Sequence, residues 1–169
     1  MKHSIKMMLA AAVMLPILLS PNASVAEGIP SEGGMMRYDL WVLPPDCTMI
    51  ESTTREVNGV DGAKAFIHVT SEGGVYFKFE GVPMDRVSTT INISGKRSLL
   101  ATVTKTDWGF FVTPSTHTGN RFVIDELTNN GRIGITFNSG VGAVWPVHGA
   151  KEAIDAMNVC VNKPRPAAL

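Results

Sequence analysis

The sequence predicts a mainly β fold, an antiparallel sandwich or partly closed barrel with one or two short helices. Three observations carry this prediction. Residues 63–80 alternate apolar and polar side chains with period two on both sides of a glycine-containing loop. Short β-branched and aromatic runs recur between turn signals from residue 38 to residue 145. A clear helical period appears once, at 150–160.

The chain opens with Lys2 and Lys6, then an uncharged apolar run from Met7 to Leu19, then small residues at Ser24 and Ala26. That three-part pattern is a secretory signal, predicted to be cleaved after Ala26. The run is too short for a membrane span, which needs about 20 residues, and Pro16 interrupts it. No stable membrane insertion is expected once residues 1–26 are gone. Residues 27–36, rich in Gly and Pro, are expected to form a flexible leader, 37–163 a single β-rich domain and 164–169 a tail.

Along the domain, Tyr38 to Val42 and Cys47 to Thr54 read as outer strands separated by Pro44-Pro45. Ala65, Ile67 and Val69 alternate with Lys64, Phe66, His68 and Thr70, and Val75, Phe77 and Phe79 alternate with Tyr76, Lys78 and Glu80. The two runs form a hairpin about Ser71-Glu72-Gly73-Gly74. Further strands are expected at 88–94, 98–105, 108–113, 132–137 and 141–145. A short helix is expected at 121–129, capped by Asn120. In the C-terminal helix, 150–160, Ala150, Ala153, Ile154 and Met157 share one face, and Pro164 and Pro166 prevent its continuation.

Composition narrows the function. Lys+Arg and Asp+Glu each number 15 in 169 residues. Residues 1–26 hold two of the bases and none of the acids, so the exported chain carries a formal charge of −2. No electrostatic footprint for nucleic acid is present. The two cysteines, Cys47 and Cys160, both lie in the exported chain, outside any Cys-x-x-Cys pair. An isolated even pair in such a chain predicts one disulfide.

No catalytic motif is visible. His68, His117 and His148 show no metal-ligand spacing, so neither a metal site nor a cofactor is expected. His68 reads as a solvent-facing strand residue, His117 as a loop residue in Pro114 to Gly119, and His148 as lying just ahead of the last helix. Ser115 or Ser139 with a histidine and Asp125 would make a triad on paper, but Gly-x-Ser-x-Gly is absent and nothing in the spacing requires one. Trp108-Gly109-Phe110-Phe111 is more informative, because successive residues of a strand cannot all enter one core. Either the stretch is buried on both faces beneath the C-terminal helix, or Trp108, Phe110 and Phe111 supply an anchor at a protein interface.

Several stretches resemble small periplasmic proteins related to invasion-associated locus B, and more loosely the periplasmic accessory proteins of secretion systems. They are Trp41 six residues before Cys47, the succession of short strands, the helix-like segment Val123 to Leu127 leading into Gly131-Arg132-Ile133-Gly134-Ile135, and the closing run Val147 to Cys160. The resemblance implies a periplasmic or secreted protein with no transferable catalytic residues. The expected function is non-enzymatic binding of another envelope or secreted protein. The alternatives are a small envelope hydrolase built around His117 and Ser115, or an inhibitor of a cell-wall-degrading enzyme.

Overall fold

The computed structural model describes residues 27–162; the predicted signal segment 1–26 and residues 163–169, which include the predicted tail, lie outside the described residues. The chain runs through β1 (Ile29–Pro30), β2 (Met36–Tyr38), β3 (Trp41–Leu43), β4 (Met49–Ser52), β5 (Arg55–Glu56), β6 (Lys64–Thr70), β7 (Val75–Glu80), β8 (Thr90–Ile93), β9 (Arg97–Thr106), β10 (Gly109–Pro114), α1 (His117–Asn129), β11 (Arg132–Phe137), β12 (Gly142–Pro146) and α2 (Ala150–Val161). It is mainly β, as its alternation predicts. The twelve strands form one antiparallel sheet in the order β1-β2-β3-β4-β6-β7-β10-β9-β8-β11-β12, with β5 beside β6.

The ten residues of β9 make the sheet fold over. Arg97 to Leu100 pair with β8, whereas Ala101 to Thr106 pair with β10. One long strand therefore joins the half built on β6, β7 and β10 to the half built on β8, β11 and β12. Their inner faces meet: Phe77 of β7 lies 6.4 Å from Trp145 of β12, and Phe79 lies 5.0 Å from Phe137 of β11, ring centroid to centroid. The sheet is not closed; residue 58 touches β12 through a single bridge, Asn58 to Gly142.

Period-two alternation does the sorting. In β6, Ala65, Ile67 and Val69 are buried, and in β7 Val75, Phe77 and Phe79 are buried, each large side chain stabilising the fold by ~1.5–3 kcal/mol of transfer free energy. The helices complete the core. α1 packs on β7, β10 and β11, and α2 packs on β2, β3, β4 and α1. The face of α2 that goes inward includes Ala150, Ala153, Ile154 and Met157, the four residues that the helical spacing groups together.

Cys47 and Cys160 are bonded, with Cα atoms 5.9 Å apart across 113 residues of chain. The bond fixes the last turn of α2 to the segment that enters β4, and it fits an oxidising compartment. No helix among the described residues is long and apolar enough to cross a membrane.

Two local expectations are corrected, and one element is new. β1 pairs with β2 through Ile29–Arg37 and Pro30–Met36, so regular pairing begins inside the predicted leader. α1 starts at His117 rather than Arg121. Its cap is Thr116, whose hydroxyl accepts from the Gly119 N–H at 3.0 Å, and Asn120 instead accepts from the Val75 N–H at 3.1 Å. β5 has no sequence signal, being two residues held only by β6.

Candidate functional site

The outward residues of the predicted hairpin do not form the ordinary solvated face. Cross-strand register sets Phe66 of β6 beside Lys78 of β7, and Lys78 beside Phe111 of β10, which in turn faces Thr104 of β9. One register step away, Glu51 of β4, His68 of β6 and Tyr76 of β7 make a second row. Three aromatic rings, one imidazole and one ammonium thus share the sheet face opposite the buried Ile67, Phe77 and Phe110.

Trp108 completes the cluster from the turn between β9 and β10. Gly109 makes that tight turn possible. A Cβ there would lie 1.9 Å from the Phe79 carbonyl oxygen, so only glycine lets β10 start against β7. The Thr106 hydroxyl donates to the Gly109 carbonyl at 3.2 Å and closes the turn. Trp108 is left 70% exposed.

Lys78 organises the rings. Its Nζ lies 5.4 Å from the Phe66 ring centre and 5.5 Å from that of Trp108, within cation–π range, and 2.6 Å from Glu80 Oε1. Its charge is satisfied on the surface, and the face presents rings rather than a free cation. His68 packs at 6.5 Å from Phe66 and 6.4 Å from Phe111, the latter edge-on. Its Nε2 is buried without a hydrogen-bond partner among the described residues. Burial holds the imidazole below its ordinary pKa; the Glu51 carboxylate opposes that shift and the Lys78 ammonium adds to it.

The predicted anchors separate. Trp108 and Phe111 belong to the outer face, but Phe110 is 4% exposed and sits in the core beside Phe79. Phe110 is therefore removed from the candidate interface, because strand alternation points it opposite to Phe111. The alternative of a stretch buried on both faces beneath the C-terminal helix also fails, since α2 covers β2 to β4 instead. Phe66, His68, Tyr76 and Lys78 are the residues that sequence reasoning missed. Their signal was two aromatics, Phe66 and Tyr76, at polar-face positions of an alternating hairpin.

The residues weighed for catalysis stay apart in their bonding. The Ser115 hydroxyl pairs with that of Thr102 at 3.2 Å, and the Ser139 hydroxyl donates to the Arg86 carbonyl at 2.6 Å. Among the described residues no hydrogen bond links either serine to His117 or Asp125. His117 opens α1 instead of lying in a loop, and His148 lies in the turn before α2. No group of three His, Cys, Asp or Glu side chains gathers to hold a metal among the described residues.

An open groove of about 800 Å³ lies elsewhere on the sheet, between the β8–β9 turn and the start of β11, lined by Ser94, Lys96, Asn130, Arg132, Thr136 and Val144 among others. Lys96 is committed to the buried Glu126 carboxylate at 3.1 and 2.9 Å and to Asn130 Oδ1 at 3.2 Å. Among the described residues the groove brings no nucleophile and base into contact, whereas the aromatic face gathers the ring side chains that protein interfaces favour. The chain matches no known protein family, no curated protein and no solved structure.

Proposed function

We propose that the protein is a periplasmic or secreted non-enzymatic binding protein that engages another envelope or secreted protein through the outer aromatic face. The carrying observation is Trp108, 70% exposed on the two-residue turn between β9 and β10 and linked to Phe66 through the Lys78 ammonium, which lies over both rings. Interfaces concentrate such aromatic anchors at their centre. The resemblance to proteins related to invasion-associated locus B points to the same class of role, and the Cys47–Cys160 bond suits the compartment.

The face is favoured over the sheet edges. Both end strands finish in proline, β1 at Pro30 and β12 at Pro146, and proline lacks the N–H that an added strand would need. At those two positions a partner that docks by strand addition finds no N–H to pair with. A partner that packs on side chains finds a ring-lined surface.

Affinity capture from a periplasmic extract with wild-type and Trp108→Ala protein tests the reading. The expected outcome is a protein retained by the wild type and lost or strongly reduced with the variant. A partner retained equally by both removes the face from consideration. Hydrolysis of peptidoglycan or ester substrates by the purified protein, abolished by His117→Ala in a stably folded variant, would replace the binding reading with an enzymatic one.

A further inference from the structure

We infer that His68 is a proton-operated latch on the aromatic face, packed between Phe66 and Phe111 when neutral and turned out of that slot towards Glu51 when protonated. This rests on the docking reading of the face and adds a regulation to it. The slot offers a proton on Nε2 no hydrogen-bond acceptor. Phe66 and Phe111 flank the imidazole at 6.5 and 6.4 Å and accept no hydrogen bond in their ring planes, and the buried Nε2 has no acceptor near it. An imidazolium held there would keep a charged N–H unpaired and out of water, which is costly.

The charged groups around His68 give the movement a direction. From β4, Glu51 stands directly across in register. From β7, Tyr76 stands across on the other side, and Lys78 occupies the next position on the same face, already tied to Glu80. β10 contributes Phe111 and no charge at this point. A positive ring is repelled by Lys78 and attracted by Glu51, so it leaves the β7 and β10 side for the β4 side. Lys78 bridges Phe66 and Trp108, so a shift of Phe66 when the imidazole leaves its side reaches the exposed anchor through the ammonium. The balance that burial sets on His68 favours the neutral ring, and the latch is shut at neutral pH.

The test is an NMR titration of the exported protein from about pH 8 to about pH 5. It follows the His68 ring, the Phe66, Lys78 and Phe111 amides and the Trp108 indole in the wild type, His68→Gln, His68→Phe and His117→Gln. The face signals should move with the His68 midpoint, below about 6.5, in the wild type and His117→Gln, and should stay fixed in both His68 variants. Equal movement in the His68 variants overturns the latch, as does a His68 ring that titrates while Phe66 and Phe111 stay still. Capture of the partner at both ends of the range separates this result from the docking reading. Wild-type capture that is weakened by Trp108→Ala yet equal at both pH values leaves docking standing and the latch refuted. Capture indifferent to Trp108→Ala refutes docking, and the titration still decides the latch.

Discussion

The two faces of β6, β7 and β10 use the same strands, the same backbone hydrogen bonds and much the same residue types, yet they do different work. Inward, Ile67, Phe77, Phe79, Phe110 and Val112 pack against the opposing half of the sheet and the helices. Outward, Phe66, His68, Tyr76, Lys78 and Phe111 form a surface stitched by one ammonium and one carboxylate. Phe110 and Phe111 are neighbours in the chain, and one methylene-linked ring belongs to each world. Side-chain type therefore says little here about burial, whereas parity along the strand decides it.

That contrast breaks most visibly at Phe77, which is fully buried against Trp145. Phe77→Ala should cost ~3–5 kcal/mol of stability, read as a lower denaturation midpoint, and a loss below ~1 kcal/mol would mean that the inner face is not the core. Next comes the bond that holds α2 against β2 to β4. Cys47→Ser with Cys160→Ser should cost ~2–5 kcal/mol, and native protein that alkylates at both thiols without reductant would show that the bond is absent.

Smaller effects belong to the outer face. Burial lowers the His68 pKa, so the folded protein prefers the neutral ring. The unfolded chain then takes up its proton first. Stability is at its full value above about pH 6.5 and falls as pH drops through the window beneath it, towards the folded-state pKa. Denaturation of His68→Phe against the wild type across that window should show a shallower acid loss in the variant; parallel curves would assign the loss to other groups. Phe111→Ala should cost roughly 1–2 kcal/mol of stability, less than Phe77→Ala because its site is not sealed. The smallest stability effect belongs to Trp108→Ala, at most ~0.5 kcal/mol for an exposed side chain, while partner affinity falls by ~1–2 kcal/mol or more. Thermal denaturation and capture of the same variant sharpen the comparison, and a strongly unstable variant would move Trp108 to the inner side.

Much of the fold was legible because alternation and turn residues are local. The hairpin of β6 and β7, the strands β8 to β12 and the inward stripe of α2 follow from spacing alone. The start of α1 was not legible, since Gly119 next to Pro114-Ser115 resembles a turn. In the fold Gly119 sits in the first helical turn, where a Cβ would come within 3.0 Å of the Pro114 Cβ, so its smallness serves a contact between distant surfaces of one bend. The aromatic face was half legible. Parity showed that Trp108 to Phe111 must divide, but the convergence of Phe66, Lys78 and Phe111 depends on β10 returning beside β7 after two intervening strands. No linear spacing encodes that pairing.

The position of the disulfide has a consequence in time. Its partners are 113 residues apart, and Cys160 lies within the final helix. In a chain delivered across a membrane N-terminus first, Cys47 emerges early and waits, as a solitary thiol, until almost everything else has arrived. The bond can close only once residue 160 is in place, so it cannot form on a partial chain. A chain that ends before residue 160 keeps Cys47 as a free thiol, so the thiol itself reports incompleteness.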